Sequence, residues 1–368
     1  MKIPITLPSR ELEHIKNIDK KVNNELKKGV YIGGNNVSIF EENIKNFLHT
    51  KYVVTLNSGT DALYLSLLAL GIKKGDEVLV PSFTFFASIE CIYHVGAKPV
   101  FVDIDISTYC FDIKDLKKKI TNKTKAIIPV HLFGNNGDLK ELMEISKSYN
   151  IKIVEDAAQS FGSRLSNEKY LGTIGDLGAF SFYPSKTLGG IGDGGMIATN
   201  NKNYFNLLMK LKNHGQSKSY EHEIIGTNSR LDSINAFVLN EKLKIFEEIA
   251  STRNRFYDFY LKNLSDLEWI NLPTKGNNNT LLNYFTISTK PSLRNKLANY
   301  LNENNISTSI YYKKPLHMQP AVKTGRKDNS SLKNTLRASK SVLSIPYFSF
   351  PKEKEMDYIV SKIIKFVP

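Results

Sequence analysis

Lys186 lies in the run Ser181-Phe182-Tyr183-Pro184-Ser185-Lys186-Thr187-Leu188-Gly189-Gly190-Ile191-Gly192-Asp193-Gly194-Gly195. Most lysines are solvated surface charges. This one has Pro184 on one side and a string of glycines on the other. Such a loop costs conformational entropy unless the backbone must come close to something. Upstream, the strand-like Ile151–Asp156 ends on an aspartate, and Gln159 follows three residues later. An amine that can form an imine, with an acid that can hold a pyridinium, is what a pyridoxal phosphate (PLP) enzyme requires.

Other segments carry weaker signals. In Asn57-Ser58-Gly59-Thr60-Asp61, between a strand and a helical run, a glycine lets backbone N–H groups close on a phosphate. The same residues read equally as a plain strand-to-helix turn with an N-cap. Asp156 stands where open α/β sheets bind ligands, yet it could also cap the segment 157–161. Gln159 is either a donor beside a ring oxygen or a surface residue. One of Phe83, Phe85 and Phe86 could lie flat on a cofactor ring, although aromatics after a strand usually belong to the core. Ser181 could reach a phosphate.

The elements that must position these residues follow from periodicity. Val37, Phe40, Ile44 and Phe47 share a helical face within a helical and loop-like segment 1–50. From 51 to 200, β-rich runs alternate with helices. The runs are 52–55, 77–80, 99–102, 125–130, 152–154, 179–182 and 196–199, and helices are expected at 62–70 and 139–149. This alternation predicts an α/β fold, a mainly parallel sheet with helices on both faces. Residues 201–260 read as long helices. Beyond the polar stretch 273–279, strand-like 284–288, helical 292–302 and strand-like 308–312 predict a smaller α+β domain. The expected division is 1–260 and 261–368.

With 368 residues, 41% of them hydrophobic, the chain can bury a sizeable core. No apolar run is long enough to span a bilayer, and the first residues lack the apolar core of a signal peptide. Cys91 and Cys110 fit no metal spacing and no disulfide framework. A cytoplasmic protein with no bound metal is expected. The formal charge of +14 raises the prospect of nucleic acid. The lysines are scattered, however, and no nucleic-acid motif is present, so a solvated lysine-rich surface is the expectation. It gives a mild pull on anionic substrates.

Several motifs, in order, resemble the DegT/DnrJ/EryC1/StrS family of PLP-dependent nucleotide-sugar aminotransferases. They are Gly33-Gly34 with Phe40-Glu41, Ser58 to Leu63, Pro81 to Phe85, Glu155 to Gln159, Ser181 to Gly195, Asn213-His214-Gly215, and Gly226 to Asp232. The resemblance implies the type I aminotransferase fold and a set of roles. Lys186 is then the imine lysine, Asp156 the pyridinium partner and Gln159 the neighbour of the 3′ oxygen. Gly59, Thr60 and Ser181 hold the phosphate, and Phe85 stacks on the ring. Asn228 reaches the phosphate of the neighbouring subunit, which implies a homodimer with shared active sites.

Within the family, Asn228–Asp232 and Ile310–Pro320 look like the group acting on UDP-2-acetamido-3-keto-glucuronate. Lys313, Thr187 and the Asn235-Ala236 pair depart from the family pattern. The resemblance implies amination of C3 of a UDP- or dTDP-linked 3-keto hexose in surface-polysaccharide biosynthesis. L-glutamate is the donor, and the cofactor alternates between PLP and pyridoxamine phosphate. Arg230, Tyr311, Tyr312 and His317 are the candidate substrate residues, with Lys313 and Lys314 as further cations. The alternative is a C4 aminotransferase of 4-keto-6-deoxy sugars. A dehydratase of this fold carries histidine in place of Lys186. A non-catalytic regulator predicts loss of Lys186 or Asp156, or an added DNA-binding domain.

Overall fold

The computed structural model describes residues 1–165, 168–275, 279–322 and 332–368. Gly276, Asn277 and Asn278 of the polar stretch lie outside the described residues. The elements run α1 (Ser9–Glu13), α2 (Ile18–Lys27), α3 (Asn35–Leu48), β1 (Tyr52–Leu56), α4 (Gly59–Ala69), β2 (Glu77–Pro81), α5 (Ala87–His94) and β3 (Lys98–Val102). Next come α6 (Ile113–Lys119), β4 (Thr124–Ile127), α7 (Leu139–Tyr149), β5 (Lys152–Asp156), β6 (Leu177–Ser181), β7 (Gly195–Thr199), α8 (Lys202–Leu211), β8 (Gln216–Lys218) and β9 (Glu221–His222). The chain ends with α9 (Ser233–Lys244), α10 (Phe246–Leu264), β10 (Ile270–Asn271), β11 (Phe285–Thr289), α11 (Pro291–Glu303), α12 (Lys333–Ser341), β12 (Val342–Ile345) and α13 (Glu353–Ile364).

The main sheet has the strand order β1-β7-β6-β5-β4-β2-β3. Neighbours from β6 to β3 pair in parallel. β7 alone is antiparallel to both its partners. The strands are apolar runs because both faces are covered. Alternate residues show this: Val154, Ala179 and Ile197 pack with α4 and α5, while Met196, Ala198 and Phe180 pack with α3 and α9. Ile153 and Leu79 join α6 and α7. All strands but β7 point the same way, so the carboxyl ends of β1, β2, β4, β5 and β6 share one edge. Asp156 and Ser181 sit on that edge.

A second sheet, β10-β11-β12, is antiparallel and packs with α11, α13 and the far half of α10 around Phe256, Tyr260, Phe285 and Tyr347. Ile3 belongs to this cluster and bridges Ile306 in parallel. Arg10 pairs with Glu355 at 2.6 Å. The first residues therefore pack on the last.

Two sequence expectations need correction. Residues 308–312 form no strand: Ser309 makes a single bridge to Ser344, and the chain then turns into the tyrosines. Residues 201–260 are not continuous helices. The polar 212–232 segment gives up helix for the β8–β9 hairpin and a long loop that returns Asn228 to Asn213. Among the described residues, no helix is long and apolar enough to cross a membrane.

The two sheets are tied by a cap made in trans. Asp103, just after β3, accepts the N–H groups of Asn334 (2.9 Å) and Thr335 (2.8 Å) at the start of α12. Asp103→Ala leaves two buried donors unmet. It is expected to lower stability by about 1–2 kcal/mol, read from urea denaturation at constant m-value. An unchanged midpoint rejects the cap.

Candidate active site

The loop after β6 doubles back on itself. Phe182 N–H donates to the Gly194 carbonyl, Gly190 N–H to the Phe182 carbonyl, and Lys186 N–H to the Tyr183 carbonyl. Lys186 Nζ stands 6.0 Å above the Tyr284 ring. Ser185 bonds the Tyr284 hydroxyl at 2.9 Å, and the Thr187 hydroxyl donates to Asn283 Oδ1 at 3.2 Å. Burial brings the Lys186 amine down from the ordinary lysine value to about 8, against the attraction of Asp156. A lysine near that value keeps an appreciable neutral fraction at neutral pH, as a nucleophile or proton carrier must.

Asp156 ends β5 and is 6% exposed. Burial raises its carboxyl above the usual aspartate value. The Ser88 hydroxyl (2.8 Å), the Ala158 N–H, Lys186 and His131 pull it back.

Gly59 opens α4 against Ser181. A methyl group on Gly59 would sit 2.7 Å from Ser181 Cβ, so only glycine fits. Ser58 is the N-cap, accepting the Asp61 N–H at 3.0 Å. The capping and ligand readings of this turn therefore coexist: capping satisfies one amide, and the other first-turn N–H groups of α4 have no partner within the helix. They point out of the helix start near Ser181, a cradle suited to an anion. Thr60 follows Gly59 in this first turn.

The three phenylalanines separate. Phe83 is core, Phe86 precedes α5, and Phe85 is 57% exposed. Phe85 and Tyr312 have ring centroids 6.2 Å apart. Gln159 is buried. It accepts from the Phe133 N–H (3.0 Å) and donates Nε2 to the Tyr312 hydroxyl (3.1 Å). Tyr311 packs on Tyr284 at 4.6 Å. Lys186, Gln159, Phe85, Tyr284, Tyr311 and Tyr312 thus share one aromatic-walled neighbourhood.

Asn228 is exposed. Its neighbour Ser229 donates to Asn57 Oδ1 (3.1 Å), which ties this loop to the turn that starts α4. Arg230 contacts Asn213 Oδ1 at 3.5 Å, and its Nε is buried with no hydrogen-bond partner among the described residues. His317 lies elsewhere. It is buried, its Nδ1 is 2.6 Å from the Ser82 hydroxyl, and its N–H donates to the same oxygen. Through Nδ1 and its backbone N–H it seats the 315–319 turn at the end of β2. Lys313 and Lys314 are exposed.

Sequence reasoning missed Ser88, His131 and Glu155. Glu155 is fully buried and accepts from His131 Nε2 (2.8 Å) and from the N–H groups of Gly172 (2.8 Å), Ile174 (2.7 Å) and Gly175 (2.7 Å). Burial works against the charge, yet His131 and these amides hold its carboxyl below the usual glutamate value. His131 donates its own N–H to the Asp156 carbonyl. The pair pins the ends of β4 and β5 together. The available sequence signals were an acid beside Asp156 and a histidine closing an apolar strand.

The amine and its surroundings make a testable statement about the ligand-free protein. Below about pH 8, Lys186 is charged in both folded and unfolded chains, and the folded state bears the desolvation cost. Above the ordinary lysine pKa of about 10.4, both forms are neutral and the cost is gone. Lys186→Met should therefore raise the melting temperature of cofactor-free protein at pH 7. The gain should shrink between about pH 8 and 10.4. A gain independent of pH rejects a desolvated ammonium.

Known proteins resemble the chain along most of its length. Over 332 residues the chain is 37% identical to the UDP-2-acetamido-2-deoxy-3-oxo-D-glucuronate aminotransferase of Pseudomonas aeruginosa, covering 89% of this chain and 90% of the relative. The crystal structure of S. venezuelae DesV in complex with a ketimine intermediate matches with a TM-score of 0.94 at 33% identity, over 100% of both chains. NtdA from Bacillus subtilis, with bound cofactor PMP, matches with a TM-score of 0.89 at 30% identity, over 99% of this chain and 84% of that one. The model of the DegT/DnrJ/EryC1/StrS aminotransferase family matches residues 13–364, and the chain belongs to that family.

Proposed function

We propose that this aminotransferase transfers the amino group of L-glutamate to C3 of a nucleotide-linked 3-keto hexose, with 2-acetamido-3-keto-glucuronate on UDP as the leading acceptor. The observation that carries the chemistry is the desolvated Lys186 amine beside buried Asp156 at one sheet edge. The residues fit PLP. The Gly59–Ser181 approach shapes an anion cradle at the α4 start, Asp156 is a buried acid, and Phe85 offers an exposed ring. Bound there, PLP supplies an electron sink for the carbon that loses its proton.

The chain's own residues supply the rest. Gly59, Thr60 and Ser181 hold the phosphate. Asp156 would hold the protonated ring nitrogen, and Gln159 would be the neighbour of the 3′ oxygen. Lys186 Nζ anchors the cofactor. Its free amine would be the group that takes the proton from the donor's α-carbon as base and gives one up as acid. Its value near 8 suits both tasks. The same residues then work in reverse with the keto sugar.

Arg230, Tyr311 and Tyr312 are the proposed substrate residues. Arg230 has an unpartnered buried Nε, so it retains donors for an anion. The likeness to the P. aeruginosa enzyme supports the 3-keto acceptor. The working unit is proposed to be a homodimer with composite sites, built from a large unit (1–260) and a small one (261–368). Exposed Tyr31, Ile32 and Ile191 support it. The Tyr31 carbonyl accepts from Ser233, Ile32 bridges Asp232, and Ile191 bonds Asn235, so these apolar groups gather around the start of α9.

Incubation with PLP, glutamate and a panel of keto sugars, read by mass spectrometry, tests the reading. Borohydride should fix the cofactor to Lys186, and a 3-keto sugar should gain an amine. Arg230→Lys loses bidentate geometry and should hurt a uronate far more than its 6-deoxy analogue. Amination of 4-keto sugars alone would move the site of reaction to C4. Cofactor fixed to another lysine would overturn the mechanism.

A mixing experiment tests the dimer. Lys186→Ala and Asn228→Asp proteins, each inactive, should regain activity when mixed, because one of the two sites in a mixed dimer carries neither change. A fully active monomer in sedimentation contradicts the composite site.

A further inference from the structure

The glycine-rich loop rests on α9, and two buried side chains of that helix hold it. Asn235 Oδ1 accepts the Ile191 N–H (3.0 Å), and Asn235 Nδ2 donates to the Asp193 carbonyl (2.9 Å). Seven residues on, and so on the same helical face, Lys242 Nζ donates to the Gly189 carbonyl at 2.7 Å. Lys242 is 1% exposed. Its counter-charge is Glu11 of α1, with Oε2 2.9 Å from Nζ. The other oxygen of Glu11 accepts the Ser349 hydroxyl at 2.8 Å.

A buried ion pair is weak evidence for stability, since apolar residues of similar volume often serve as well or better. What this pair touches is more informative. The bonded carbonyl belongs to Gly189, three residues after Lys186. The loop is folded so tightly there that a methyl on Gly189 would lie 2.3 Å from the Pro184 carbonyl oxygen. Fixing Gly189 therefore fixes both legs of the loop that carries Lys186.

We propose that Lys242, held by Glu11, is a positioning residue that aims the Lys186 loop and ties it to the N-terminal helix and to the segment at Ser349. This rests on the reading of Lys186 as the cofactor-bearing amine. Lys242 never meets substrate. It sets where Nζ of Lys186 stands, and a misplacement on the order of 1 Å costs about a hundredfold in rate.

The test separates folding from aim. Glu11→Leu/Lys242→Met removes both charges at nearly constant volume, so its melting temperature should match or exceed that of wild type. Its loop amides, Gly189 to Asp193, should exchange hydrogen about tenfold faster in the cofactor-free protein. Its kcat for the glutamate half-reaction should fall about a hundredfold while KM is retained. Glu11→Gln keeps the acceptor for Ser349 while removing the charge that faces Lys242, and should show a smaller change of the same kind. It serves alone if the double variant does not fold. Folded variants with wild-type loop exchange and wild-type kcat overturn the proposal. Wild-type protein that borohydride cannot fix to its cofactor through Lys186 would instead overturn the reading on which it rests.

Discussion

The desolvation of one amine and one carboxylate at a single sheet edge is the constraint on which the rest depends. Burial drives the Lys186 ammonium and the Asp156 carboxylate toward neutrality, while each draws the other toward its charged form. Neither group is comfortable, and the discomfort serves function: reactive groups are drawn from positions where folding alone would place something apolar. β5 and β6 are hydrogen-bonded neighbours, so the strand ending at Asp156 and the strand leading to Lys186 are adjacent by topology. The antiparallel return of β7 then brings Gly195 back beside Ser58 and closes the anion cradle.

Around this pair the structure supplies supports that do no chemistry themselves. Glu155, on the opposite face of β5 from Asp156, gathers four donors and locks β4 to β5 through His131. The turn that His131 opens delivers the Phe133 N–H to Gln159, which orients that amide toward Tyr312. Asn235 and Lys242 hold the lysine loop from below. Each reactive group is thus fixed by a neighbour whose own geometry is over-determined, the arrangement that precise positioning requires.

What the sequence revealed divides along range. Lys186 was legible because its glycine-rich setting is local, and Asp156 because a strand ending in an acid can be read from six residues. Gly59 was ambiguous on its own, and the approach of Ser181 that demands glycine there comes from far along the chain. His131, Asn235, Lys242 and Glu11 were illegible, since a buried polar residue declares its purpose only through its partner. Glu11 and Lys242 are joined across 231 residues of chain. The bond between His317 and Ser82 was illegible for the same reason, because the two lie 235 residues apart. The segment 308–312 misled because β-branched and aromatic residues favour strands wherever pairing is available. Here the partner strand offers Ser344 alone.

The charge of the whole chain bears on the substrate. Scattered lysines predict a diffuse positive field, which steers anions without selecting among them. Selection needs cations that are fixed and under-neutralised. Lys212 and Arg230 meet that condition. Burial lowers the Lys212 amine below its usual value. Glu41, 3.7 Å away, resists this, and the nearby Arg230 reinforces it. Glu41 is already shared, accepting both the N–H and the hydroxyl of Thr55. Lys212 thus faces a carboxylate already committed to Thr55, with Arg230 near it, beside the loop that reaches Asn57 and the start of α4. An unpartnered guanidinium N–H in such a place is tolerable only if an anion completes it. A nucleotide-linked sugar brings diphosphate, and a uronate adds a carboxylate. Lys212 and Arg230 near the start of α4, rather than the net charge of the chain, are therefore the fixed cations that an anion bound there would meet.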